Sequence, residues 1–197
     1  MESLDTRRLD DAIKRKAFQN IMNAIDPSAE LPDQVFKSCM SNFYFFASDS
    51  VVSEEFVEIV QDMMRVERAS VTSCMNLTRS KGLEFESIEV TYIDNSTKGD
   101  DYFIFLLQAL NGESGWMVTM DRHAFASDVG EWCIYAERMN DVAVIAFSVI
   151  DIEKYRSHLD RLDAHNIFDL IYSDKGYDPY DKLVEEWKTG LCKYYIV

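Results

Sequence analysis

Leu9, Ile13, Ala17, Ile21 and Ile25 recur at a spacing of four, with Ala24 alongside and Asp5 placed as a cap, so the chain opens with an amphipathic helix. Asp26-Pro27 ends it, because the residue before proline leaves the helical region. A second helix is expected from about Pro32, with Val35, Phe36, Cys39, Met40 and Phe43 in one stripe and Phe43-Tyr44-Phe45-Phe46 as its buried end. Ser53 caps a third, whose Phe56, Ile59, Val60, Met63 and Met64 face inward.

Beyond Ala69 the period falls from 3.6 to 2. Ile88, Val90 and Tyr92 alternate with Glu89 and Thr91 as a half-buried strand, and Asp94 to Asp101 reads as a turn cluster. Tyr102 to Leu110, apolar on both faces, predicts a central strand. Asn111-Gly112-Glu113-Ser114-Gly115 then predicts a hairpin into a strand over Trp116 to Met120. A loop over Asp121 to Gly130 leads to strands over Trp132 to Arg138 and Val142 to Val149, joined tightly through Met139-Asn140-Asp141. Helical spacing returns with Ile152, Tyr155, Leu159 and Leu162. Asp178-Pro179 starts a last helix carrying Tyr180, Leu183, Val184, Trp187 and Leu191, which Gly190 stops, and Tyr194 to Val197 adds an edge strand.

The pattern is that of an α+β protein: N-terminal helices over 1–68, an antiparallel meander of about five strands over 69–150, and C-terminal helices packed on the sheet over 151–197. With 197 residues, one domain is expected.

Charge narrows the function. The net charge is −15 with 47% hydrophobic residues, so the chain is a globular acidic protein whose surface repels nucleic-acid phosphates and anionic lipid. The acids are unevenly spread. Residues 21–62 hold eight acids against Lys37 alone, and residues 160–186 hold eight against Arg161, Lys175 and Lys182, whereas residues 1–20 are slightly basic. In the later stretch Tyr172, Tyr177 and Tyr180 fall among the acids. That mixture suits a face for a basic protein partner, with Asp169, Tyr172, Asp174, Tyr177, Asp178, Asp181 and Glu185 as the candidate contacts; helix packing is the simpler role for Tyr180.

Signals of catalysis are sparse. No GxGxxG or GxxxxGK[ST] occurs, and the seven glycines are scattered singly, so no nucleotide and no other cofactor is expected. Asp121-Arg122-His123 sits in a predicted loop, where acid–base groups often lie, without a nucleophile beside it. His158 and His165, seven apart with Asp160, Asp163 and Asp169 nearby, could approach one metal ion only if the helix between them broke. Cys39, Cys74, Cys133 and Cys192 lack CxxC spacing and read as reduced, mostly buried thiols. The N-terminus has charge where an export signal needs an apolar core, and the longest apolar run is far short of a bilayer span, so a cytoplasmic location is expected.

The stretch Glu131-Trp132-Cys133-Ile134-Tyr135-Ala136-Glu137-Arg138, followed by Asp141-Val142-Ala143-Val144-Ile145, resembles a hairpin of bacterial immunity proteins from polymorphic-toxin and contact-dependent growth inhibition systems. The resemblance implies a non-enzymatic protein that neutralises a toxin, often a nuclease, by covering its active site; it assigns no binding residues. On the residues alone, Trp132, Ile134 and Ala136 share one face and Cys133 and Tyr135 the other, as core positions would. An acidic nucleic-acid mimic or adaptor, and then a small hydrolase, are the alternatives.

Overall fold

A computed structural model of the protein describes residues 4–78, 89–108, 115–172 and 176–196. The α+β expectation holds. A six-stranded antiparallel sheet has the order β1-β6-β5-β4-β2-β3, built from β1 (Asn42–Ala47), β2 (Val71–Asn76), β3 (Val90–Asp94), β4 (Arg122–Ser127), β5 (Trp132–Glu137) and β6 (Val142–Phe147). The run β4-β5-β6 is the meander. β2 and β3 extend it on one side, and β1, from the N-terminal part, closes the other.

Helices cover both faces. On one lie α2 (Glu54–Glu67), α3 (Gly99–Leu107), α4 (Trp116–Thr119) and α5 (Arg156–Arg161); on the other lie α1 (Leu4–Ala24), α6 (Ile167–Tyr172) and α7 (Glu185–Tyr195). This is why β5 and β6 are apolar at every inner position. Trp132, Ile134, Ala136, Ala143, Ile145 and Phe147 join the core under α2 and α5, while Cys133, Tyr135, Val142, Val144 and Ala146 join the core under α1 and α7. Each face buries its alternate residues, as the period of two requires.

α2 forms where the sequence places it. The Ser53 hydroxyl accepts the Phe56 N–H at 3.2 Å, Glu54 and Glu55 occupy the first turn, and Arg68 ends the helix in a left-handed conformation (φ 61°). α1 likewise follows its spacing-of-four stripe, with Ala17, Ile21, Ala24 and Ile25 buried.

Four expectations over residues 26–130 are corrected. No helix follows Pro32: Asp26 N–H bonds Val35 C=O and Lys37 N–H bonds Ala24 C=O, folding residues 26–41 into a looped segment, and the aromatic run after it is strand β1. Alternate pleat directions, not a helix end, bury Phe43 and Phe45 on one face and Phe46 on the other. Residues 99–107 form helix α3 rather than a central strand. Only Tyr102 and Leu106, four apart, are fully buried there, and Gly99 lets α3 meet α2 so closely that a Cβ would stand 2.8 Å from the Glu54 carbonyl oxygen. Trp116 to Thr119 is likewise a helical turn, its indole edge-on to Phe105 at 5.3 Å. The predicted 121–130 loop contains β4.

At the C-terminus a short 3-10 turn over Tyr180–Lys182 precedes α7, which runs past Gly190 to Tyr195, so the expected stop and edge strand are absent. Gly190 serves packing instead: a Cβ there would stand 2.8 Å from Pro32 Cβ. The expected hairpin at Asn111 to Ser114, and Ile88 of the expected strand, lie outside the described residues.

Candidate partner-binding face

The acids predicted to face a partner are carried by α6, the 3-10 turn and α7. Ile167 and Leu170 point α6 into the core, which turns Asp169, Phe168 and Tyr172 outward. Phe168 and Tyr172, four apart, stack at 4.8 Å, with 55% and 62% of their surfaces exposed. Exposed aromatic pairs of this size are what interfaces use. The Tyr172 hydroxyl lies 3.9 Å from Cys192 Sγ on α7, which joins the two helices, and the Glu185 carboxylate is near enough to help push the phenol pKa up, after the larger effect of Cys192.

The remaining residues are held by contacts of their own. Lys188 Nζ donates to the Asp181 carbonyl at 3.3 Å and to Glu185 Oε1 at 3.2 Å, bringing those residues together. Asp178 pairs with Lys182 within the turn. Tyr177 is half-buried, its ring 4.8 Å from that of His165, and so braces the turn rather than presenting a free face. Tyr180 is buried, its hydroxyl donating to Phe46 C=O at 2.7 Å, in the packing role expected of it. Asp174 lies outside the described residues.

Sequence reasoning missed a groove beside this face. A cavity of about 440 Å³ opens between β1, the start of α6 and the end of α7. Phe43, Ile167 and Tyr195 form its base, while Phe168 and Ile196, 55% and 51% exposed, form its rim. Tyr195 is held rigidly, donating to Asp33 C=O at 2.8 Å, accepting Val35 N–H at 2.9 Å, and standing edge-on to Phe43 at 5.1 Å. The helical offset from Phe168 to Tyr172 was the available signal for the rim; the groove itself comes from long-range packing.

In the other acidic stretch several acids share one base. On α2, Glu55, Glu58 and Asp62 converge on Arg161, the closest approach being Arg161 Nη1 to Asp62 Oδ2 at 2.8 Å. Those acids are partly neutralised, and the apolar side of α2 is buried. They also lie across the sheet from α6 and α7.

The candidate catalytic and metal residues are placed elsewhere. His123 stands on β4, not in a loop. It is buried, packed edge-on to Phe125 at 5.5 Å, and among the described residues neither ring nitrogen has a hydrogen-bond partner. Burial, with Arg138 nearby, lowers its pKa to about 3, so the ring is neutral. His158 is buried on α5, whereas His165 bridges to β1, its N–H bonding Phe45 C=O at 2.9 Å. Among the described residues no three His, Cys, Asp or Glu side chains gather as metal ligands. Cys74 and Cys133 are buried as expected, whereas Cys39 is exposed because residues 26–41 form a surface segment instead of a helix. Among the described residues no helix is long and apolar enough to cross a membrane.

Comparison with protein-family models, curated proteins and solved structures gave no match to this chain.

Proposed function

We propose that the protein is a non-enzymatic binding protein that neutralises a basic partner stoichiometrically, in the manner of an immunity protein covering the active site of a cognate toxin, with a nuclease domain as the most natural target. The observation that carries the reading is the exposed Phe168–Tyr172 pair, with Asp169 between them on α6 and the Glu185 carboxylate close to Tyr172. Aromatic anchors supply contact energy in such a face, and the surrounding acids steer and orient a basic partner. The net charge of −15 extends that attraction over the molecule. Nuclease domains must hold phosphates and therefore present basic clefts, which such a face complements.

The hairpin that resembles immunity proteins is core in this chain, with β5 and β6 buried throughout, so it offers no contact surface. The division of acids between opposite sides of the sheet fits a localised docking face better than a continuous phosphate-like track.

Capture with the tagged protein at low ionic strength, followed by reconstitution of the co-eluting protein, tests the reading. One basic partner at near-equal stoichiometry, whose activity is suppressed at one equivalent, is the expected result. A partner that remains fully active in a saturated complex would overturn it.

A further inference from the structure

Strand β1 is an edge of the sheet, and among the described residues its outer side is paired at a single point. Phe45 N–H bonds His165 C=O at 2.7 Å and Phe45 C=O accepts His165 N–H at 2.9 Å; the chain then turns away into α6. Backbone groups on a strand alternate in direction, so those of Phe43, two residues before Phe45, also point away from β6. Phe43 is also one of the residues lining the 440 Å³ groove. A sheet edge left open beside a cleft lined by both aromatic and amide side chains is a template for an added strand.

Resting on the binding-protein reading above, we infer that the groove takes an extended segment of the basic partner, which adds to β1 at Phe43 as a short strand. The segment's alternate side chains are apolar and enter between Phe168, Ile196 and the base formed by Ile167 and Tyr195, while the intervening ones are basic. Charge selects this occupant. Residues 163–172 contribute Asp163 and Asp169 to this side and hold no Lys or Arg. Asp163 holds the His165 ring at 2.9 Å with 84% of its own side chain exposed, while Asp169 is exposed beside Phe168. The Asn42 and Asn166 amides on the groove lining offer further hydrogen bonds to a peptide backbone. Tyr195 is fixed by its two hydrogen bonds before anything binds, so little ordering cost falls on the protein.

The probe is a capped hexapeptide of alternating lysine and valine, titrated into the 15N-labelled full chain. Saturable binding is expected, with the Phe43 amide shifting and its hydrogen exchange slowing. An analogue N-methylated in its backbone loses a strand hydrogen bond and should bind about fivefold more weakly. Phe168→Ala and Ile196→Ala should each weaken binding by about five- to tenfold. Both residues are half-exposed, so the unfolding midpoint should hold, and the same peptide with glutamate in place of lysine should fail to bind. No binding, binding that leaves the Phe43 amide exchange unchanged, or equal affinity for the N-methylated analogue overturns the proposal. A captured partner that binds and is inhibited while Phe43 stays free would overturn strand addition alone; peptide binding without any inhibited partner would overturn the neutralising role alone.

Discussion

Two buried ionisable side chains give the core opposing responses to pH. Glu67, at the end of α2, accepts the Glu131 N–H at 3.2 Å, and burial raises its carboxyl pKa to about 7. The folded protein therefore holds this proton where the unfolded chain has released it, and stability falls as pH rises from about 4.5 to 7. His123, lowered to about 3, has the opposite sign. Below about 6.5 the unfolded chain takes a proton that the fold refuses, so stability falls as pH drops, by about 1.4 kcal/mol per unit. Between about 4.5 and 6.5 the two slopes oppose one another. Glu67→Gln should be no more stable than the wild type near pH 4.5 and more stable by roughly 3 kcal/mol above pH 7, measured by urea unfolding across the range. A stability difference that does not vary with pH would contradict this. Thiol labelling gives a second check at this scale. Cys39 should react quickly in the native protein, whereas Cys74 and Cys133, buried and with pKa values pushed up by burial, should stay silent until unfolding. Fast native labelling of either buried thiol would contradict the packing.

Elements were legible wherever one periodic face and a local cap agreed. The spacing of four in α1 and the Ser53 cap of α2 specify those helices before any tertiary contact forms, and the alternation in β5 and β6 is equally plain. Continuous apolar runs were ambiguous. Phe103 to Leu107 reads equally as a strand buried on both sides, and only packing against α2 makes it α3. β2 and β4 were hidden for the reverse reason: Thr72, Ser73, Asn76 and Ser127 are polar yet fully buried, so their sequence resembles a loop. Of the candidate site, the acids and Tyr172 could be read from charge and composition, but the groove could not, because it joins β1 to helices more than a hundred residues later. The turn before α7 is anchored by the Tyr180 hydroxyl, which reaches the Phe46 carbonyl at 2.7 Å and the Ala143 carbonyl at 3.4 Å. Tyr180→Phe should cost about 1–2 kcal/mol in denaturant unfolding while leaving the fold intact, since it removes the hydroxyl's two hydrogen bonds without emptying the ring's site. An unchanged unfolding midpoint would remove the anchor from the account.

At the scale of the molecule, the layers assign separate tasks. The sheet and its two cores are stabilised by apolar burial on both faces, and the acidic helices are left free to vary in charge without disturbing that core. α2 spends its carboxylates on Arg161, while the α6–α7 side keeps exposed aromatics beside its acids and a groove at the sheet edge. Surface pairs such as Asp178–Lys182 and Glu185–Lys188 contribute little to stability, at most about 1 kcal/mol each, so their charges can be reversed without unfolding the protein. The central claim is that this face receives a basic partner. Its most direct test is the association rate of the captured partner with the wild type and with the triple variant Asp169→Lys, Asp181→Lys, Glu185→Lys, followed by stopped flow at low and high ionic strength. The account predicts that the variant associates at least about tenfold more slowly at low salt and that the two rates converge at high salt. Equal rates at low salt would contradict it.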